Sequence, residues 1–136
     1  MSLFYRASLL ILIAGPALAA PVQCPPTLAV TQTASAVPQG MQAFDPEPNH
    51  AWTNVQFSDG PPKEQAWLAP DSSKPSGKTF TNIWSFGTSP GGTWLSCNYT
   101  GTSMVLSYRL PDAVRSCSVK YDANMTPAIA TAIDCR

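Results

Sequence analysis

Four cysteines constrain this chain more than any other feature. Cys24, Cys97, Cys117 and Cys135 all lie downstream of an opening segment, MSLFYRASLLILIAGPALAA, that has the layout of an export signal. One basic residue, Arg6, precedes an apolar run from Ala7 to Ala14, and small residues close the stretch. An even cysteine count in a small exported domain reads as two disulfides. Ala17-Leu18-Ala19 sets cleavage after Ala19, so the expected organisation is a signal peptide over residues 1–19 and a single exported β domain over residues 20–136. The apolar run is shorter than the roughly 20 residues a membrane helix needs, and no lipobox precedes Cys24. A periplasmic or secreted protein with no membrane span after signal cleavage is the expectation.

The pairing of the cysteines follows from the stretch Thr93–Asp122, TWLSCNYTGTSMVLSYRLPDAVRSCSVKYD. It reads as a three-stranded antiparallel meander with Thr100-Gly101 as a two-residue turn, glycine supplying the positive φ of a tight hairpin. Cys97 then faces Met104, and Leu95 faces Leu106. Period-two alternation puts Leu95, Cys97, Tyr99, Met104, Leu106, Tyr108 and Leu110 on one side, and Trp94, Ser96, Asn98, Ser107 and Arg109 on the other. Cys97 and Cys117 would be separated by a whole strand, beyond the Cα separation of about 7 Å that a disulfide tolerates. Cys24–Cys97 with Cys117–Cys135 is the preferred connectivity, and Cys24–Cys117 with Cys97–Cys135 stays open. A zinc site is the competing use of these residues, but there is no CxxC pair and His50 is the only histidine.

Elsewhere the pattern is also extended. Thr27–Thr33 reads as an edge strand after Cys24-Pro25-Pro26, Ala51–Phe57 and Thr79–Phe86 read as strands, and Lys63–Leu68 reads as a short strand or one helical turn. Met41–His50 and Ala69–Lys78 read as exposed loops, and Ala128–Cys135 as a short helix or, given the preferred disulfide, a last strand. With 14 prolines and few charges, no long amphipathic helix fits. The fold class is mainly β: a small antiparallel sandwich or curled sheet of six to eight strands, held by two disulfides.

Eight basic and eight acidic residues leave the chain near neutrality, and no Lys/Arg cluster provides the footprint of a nucleic-acid binder. No cofactor motif stands out. His50, in DPEPNH, reads as a solvated loop histidine, with a weak metal site beside Asp45, Glu47 or Asn49 as the alternative. Asp59 with Glu64, or Asp71 with Asp112, could in principle form a hydrolytic carboxylate pair. Each of them sits in a turn, however, where Asp is favoured for local hydrogen bonding. Asn98-Tyr99-Thr100 and Asn124-Met125-Thr126 match the glycosylation acceptor pattern and read as chance matches behind a bacterial-type signal.

The surplus feature is tryptophan. Trp52, Trp67, Trp84 and Trp94 all lie in extended segments. Trp84 shares a face with Phe80 and Phe86 and reads as core, whereas Trp52 and Trp94 fall opposite the more apolar face of their strands. Trp52, Trp67 and Trp94, with Asp59 in the adjoining turn, are the candidate binding surface.

Cys24-Pro25, Asp59-Gly60-Pro61-Pro62, Trp94-Leu95-Ser96-Cys97-Asn98-Tyr99 and Leu110-Pro111 followed by Cys117 together resemble a family of small disulfide-bonded periplasmic proteins of Gram-negative bacteria, most of them without an assigned role. The resemblance implies compartment and scaffold, and carries over no catalytic residues. The expected function is non-enzymatic binding, of inhibitor or immunity type, toward a protein partner. A carbohydrate or cell-wall binding module is the alternative, and a small carboxylate hydrolase comes third.

Overall fold

The structure, a computed structural model, describes residues 21–136. The expected signal segment lies outside the described residues. Nine strands form two antiparallel sheets: β1 (Thr27–Ala29), β2 (Asn49–Asp59), β3 (Trp67–Leu68), β4 (Ser72–Ser76), β5 (Thr79–Ser85), β6 (Thr93–Tyr99), β7 (Val105–Arg109), β8 (Ser116–Asp122) and β9 (Ile129–Cys135). The first sheet runs β1-β2-β6-β7, with β3 beside the C-terminal half of β2; the second runs β4-β5-β8-β9. Strands account for the chain as composition and alternation required.

The inner faces of the sheets meet at Phe57, which is fully buried between Trp84 and Phe86 at centroid distances of 4.9 and 5.2 Å. Around it pack Val55, Leu95, Cys97 and Tyr99 from the first sheet and Cys117, Val119 and Tyr121 from the second. Two polar contacts cross between the layers: the Trp84 indole N–H donates to the Leu68 carbonyl at 3.0 Å, and the Tyr121 hydroxyl donates to Asn54 Oδ1 at 2.9 Å. Each gives a buried polar group a partner, which a dry core demands.

The disulfides are Cys24–Cys97 and Cys117–Cys135, with Cα separations of 5.7 and 4.1 Å. The preferred connectivity holds, but the geometric reason differs from the one expected. Cys97 and Cys117 do not lie two strands apart in one meander; they lie in different sheets. Of the three expected meander strands only β6 and β7 pair with each other, and β8 crosses to pair with β5 and β9. Pro111 cannot donate to a ladder, so the strand stops there and the Pro111–Val114 turn sends the chain to the other layer.

Within the hairpin, Cys97 pairs with Leu106 and Leu95 with Tyr108. The register is two residues away from the expected one, because the connection spans Thr100–Met104 rather than two residues. An even slip preserves faces, so Leu106 and Tyr108 keep the inner side. Residues 69–78 were expected to be a loop and instead contain β4, which hairpins onto β5 through Gly77. Its sequence, SSKPS, is exposed at every position and has no apolar alternation to reveal it.

Candidate partner-binding face

Positions 58 and 59 at the end of β2 organise the outer face of the five-stranded sheet. Gly60 adopts φ 85°, a left-handed conformation that glycine takes without strain, and its N–H donates to the Gly92 carbonyl at 2.8 Å. Pro61 and Pro62 lead into a single 3-10 turn, Pro62–Glu64, and Gln65 at φ 57° turns the chain back as β3. Ser58 then lies opposite Trp67 on one side and Trp94 on the other, and Trp94 lies opposite Arg109. Directly opposed residues share a face. Trp67, Ser58, Trp94 and Arg109 therefore form one row across four strands, turned away from the core.

Three of its four members are held locally. The Ser58 hydroxyl, fully buried, donates to the Gly60 carbonyl at 2.8 Å. The Trp94 indole N–H donates to the Gly91 carbonyl at 3.0 Å, which fixes the ring with its polar edge turned to the loop. Arg109 pairs with Asp112 at 3.0 Å and lies across Gly92, where an added Cβ would fall 2.2 Å from the guanidinium Nε. Gly92 leaves the space that Arg109 fills. Asp59, one residue beyond Ser58, accepts a hydrogen bond from the Ser89 hydroxyl and anchors the next loop. Trp67 is 42% exposed. Below the row lie Gln56, Ser96 and Ser107, with Ser96 and Ser107 hydroxyls 2.7 Å apart. A hollow of about 190 Å³, lined in part by Ser89, Gly92, Arg109, Asp112 and Arg115, adjoins its arginine end.

The structure thus brings together Trp67 and Trp94 of the sequence-derived candidates, turns Asp59 to the opposite side of the strand beside Thr93, and sets Trp52 apart. The register shifts between Trp52 and Asn54, and the shift carries Trp52 to the side where it packs against the buried core. Asn54 stabilises this irregularity by accepting the Val55 N–H at 2.8 Å on its side chain and the Trp52 indole N–H at 2.9 Å on its carbonyl. Arg109 was not singled out from sequence as a candidate, although its place on the same side of the hairpin as Trp94 was the available signal.

His50 corrects another expectation. It belongs to β2, not to a solvated loop, and is only 3% exposed. Its Nδ1 lies 2.8 Å from the Thr100 carbonyl, which can only accept, so the proton sits on Nδ1. Nε2 is buried without a partner. The loop signal of Pro46 and Pro48 ends at the strand, and the ring fills the corner between β1 and the Thr100-Gly101 turn, 3.1 Å from a Cβ built on Gly101. Among the described residues no three His, Cys, Asp or Glu side chains gather as a metal site. Asp71 accepts the Ser85 N–H at 2.6 Å and Asp112 pairs with Arg109, which gives both carboxylates structural partners.

A two-disulfide β-sandwich with an aromatic row fixed on one outer face defines a small, rigid binding protein. Residues 47–136 match the Type VI secretion system Tli immunity protein family, and the chain belongs to that family. Its function is of immunity type, exerted on a protein partner. It is also 32% identical to an uncharacterized 16.3 kDa protein from the trpG 5' region of Azospirillum brasilense, over 90% of each chain. No solved structure matches. The family match begins in the loop before β2 and includes the whole Trp67–Arg109 row; Cys24 and β1 precede it.

Proposed function

We propose that the protein, freed of residues 1–19 in the periplasm, neutralises a toxin delivered by type VI secretion by binding it stoichiometrically, without catalysis. The contact surface is the outer face of the five-stranded sheet around Trp67 and Trp94, with Arg109 at its margin. One observation carries this reading. A 42%-exposed Trp67, a half-buried Trp94 and Arg109 stand in line on a face that the core does not need. Trp and Arg dominate the binding energy of protein interfaces, because each combines large contact area with a polar handle. Two disulfides suit an oxidising compartment. The site also has the preorganisation of a binder at Ser58, Trp94 and Arg109, which are anchored by hydrogen bonds to neighbouring turns and loops.

The catalytic alternative has little to build on. The imidazole of His50 is buried and bonded to a carbonyl rather than poised against a hydroxyl or thiol. The carbohydrate alternative shares the aromatic row, but the family's immunity role favours a protein partner.

The test is co-expression of the signal-bearing chain with each type VI effector of its own cell, directed to the periplasm. Survival with one effector, lost when Trp67 and Trp94 are both replaced by Ala at unchanged protein level, is the expected result. Survival with none overturns the immunity reading; survival that ignores the tryptophans moves the surface elsewhere.

A further inference from the structure

Every open sheet has edges, and the unpaired N–H and C=O groups of an edge strand template the addition of another strand. Natural sheets block them with short length, proline, lysine or a bulge. Three edges of this sandwich are blocked in such ways. The β1 edge is three residues long and follows Pro25-Pro26. The β4 edge, SSKPS, carries Lys74 and Pro75 and no apolar side chain. The β9 edge follows a register shift at Lys120/Tyr121 and ends in Asp134 and Arg136 around a disulfide.

The β7 edge has none of these devices. Val105–Arg109 contains no proline, no lysine and no register shift against β6, and no charge precedes Arg109. Among the described residues its backbone makes no hydrogen bond outside the β6 ladder, so alternate residues turn free N–H and C=O groups outward. Instead of gatekeepers it shows Met104, Val105 and Leu106, exposed by 56, 41 and 37%. Three consecutive apolar residues break the alternation a half-buried strand needs, and the excess one, Val105, faces outward in the same direction as Trp94 and Arg109.

We propose that β7 receives an extended, proline-free segment of the protein partner as an added antiparallel or parallel strand. Two adjacent apolar side chains of the segment would meet Leu106 on one face and Val105 on the other. The inference rests on the immunity reading above and names how that partner is held. Backbone pairing along a five-residue edge of about 17 Å falls well short of the roughly 800 Å² per side of a standard interface. The rest must come from a contiguous surface. Trp94 lies directly opposite Arg109 of β7, so a partner adding a strand there can fold its body over the tryptophan row. A second copy of this chain cannot: edge-to-edge pairing would leave both outer faces coplanar and uncovered. The geometry favours a different protein over self-association.

The experiment is hydrogen–deuterium exchange on the mature protein alone and in complex with the effector identified by co-expression. The expected result is strong slowing at Val105–Arg109, with Ser72–Ser76 on the opposite sheet unchanged. In parallel, Val105→Lys and Leu106→Lys, both at exposed positions, should weaken the complex at least tenfold, whereas Ser73→Lys should not, and melting curves should show all three folded. Unchanged exchange in β7 within a formed complex, or lysine variants that bind normally, overturns strand addition and leaves the immunity reading intact. A dimer of the free protein by light scattering, with β7 already protected, assigns the edge to a second copy and overturns the proposal. Absence of any complex with any effector overturns both.

Discussion

The outer face of the four-stranded sheet carries Thr79, Thr81, Ile83, Ser116, Ser118 and Lys120, with Ile129 opposite Asp122 at its end, short or charged side chains around two aliphatics and no aromatic ring. The matching face of the five-stranded sheet carries Trp67, Trp94 and Arg109, and its last strand ends in an unprotected edge. The two sheets share one core and one pleat, so the difference does not arise from folding. A sheet that only had to cover the core would resemble the first. On the function proposed above, the second keeps its large aromatic and charged side chains for the surface of a partner. The disulfides follow the same division: Cys117–Cys135 ties neighbouring strands of the four-stranded sheet directly, while Cys24–Cys97 draws the distant N-terminal segment onto the five-stranded one.

That division makes the largest prediction. In the chain-entropy model, a bridge across a sequence separation of 73 contributes about 4.4 kcal/mol and one across 18 about 3 kcal/mol. Replacing both Cys24 and Cys97 by Ser should therefore lower the free energy of unfolding more than replacing Cys117 and Cys135, as read from urea melts. Equal losses would mean that the two sheets are constrained alike.

Much of this was legible in advance, for identifiable reasons. The strands β5 and β6, and β2 beyond its bulge at Trp52/Asn54, combine alternation with β-branched and aromatic residues, and periodicity found all three. The cysteine pairing survived an error in topology because period two fixes the face of Cys97 whichever sheet β8 joins. The strand β4 was hidden because SSKPS has no buried face, and backbone pairing to β5 alone defines it. Trp52 was misplaced because alternation cannot be counted through a bulge. The aromatic row was half legible: Trp67 and Trp94 were singled out, but only the register through Ser58 puts them side by side. His50 was misjudged because two neighbouring prolines outweighed a single buried ring.

His50 gives the next effect in size. It lies at the end of the five-stranded sheet remote from the tryptophan row. His50→Ala removes the hydrogen bond to the Thr100 carbonyl and opens a gap beside Gly101, which should cost about 1–3 kcal/mol of stability. Partner affinity should be unchanged. A loss of binding at full stability would extend the functional face along the whole sheet.

Tyr121 tests the joint between the sheets through pH. Burial pushes its phenol from 10.0 up to about 12, and its hydroxyl donates to Asn54 across the sandwich. Burial raises Tyr99 and Tyr108 as well. A group whose folded pKa is raised holds its proton more tightly in the folded state. Its stabilising contribution is thus complete below pH 10 and is lost as pH rises from 10 through about 12. Denaturant midpoints measured from pH 9 to 12 should fall over this window, and Tyr121→Phe should flatten the slope. An unchanged slope in that variant would place the alkaline weakness in the first sheet, at Tyr99 and Tyr108.

The smallest effect on stability is the one that decides the comparison. Trp67 belongs to a two-residue strand and is substantially exposed, so Trp67→Ala should cost less than about 1 kcal/mol of folding stability. Trp94→Ala should cost somewhat more, because the residue is already partly buried and its indole N–H holds the Gly91 loop. Ile83→Ala, the matched change on the four-stranded sheet, should fall in the same range, since Ile83 too is only partly buried between Ser72 and Ser118. In binding, the three should separate. Loss of either tryptophan should weaken the partner complex by about 2 kcal/mol, the usual size of an interface hot spot and roughly thirtyfold in Kd, while Ile83→Ala leaves it unchanged. Titration calorimetry on the three variants reads this directly. If Ile83→Ala weakens binding and the tryptophan variants do not, the assignment of the two sheets is reversed, and the aromatic row serves the scaffold instead.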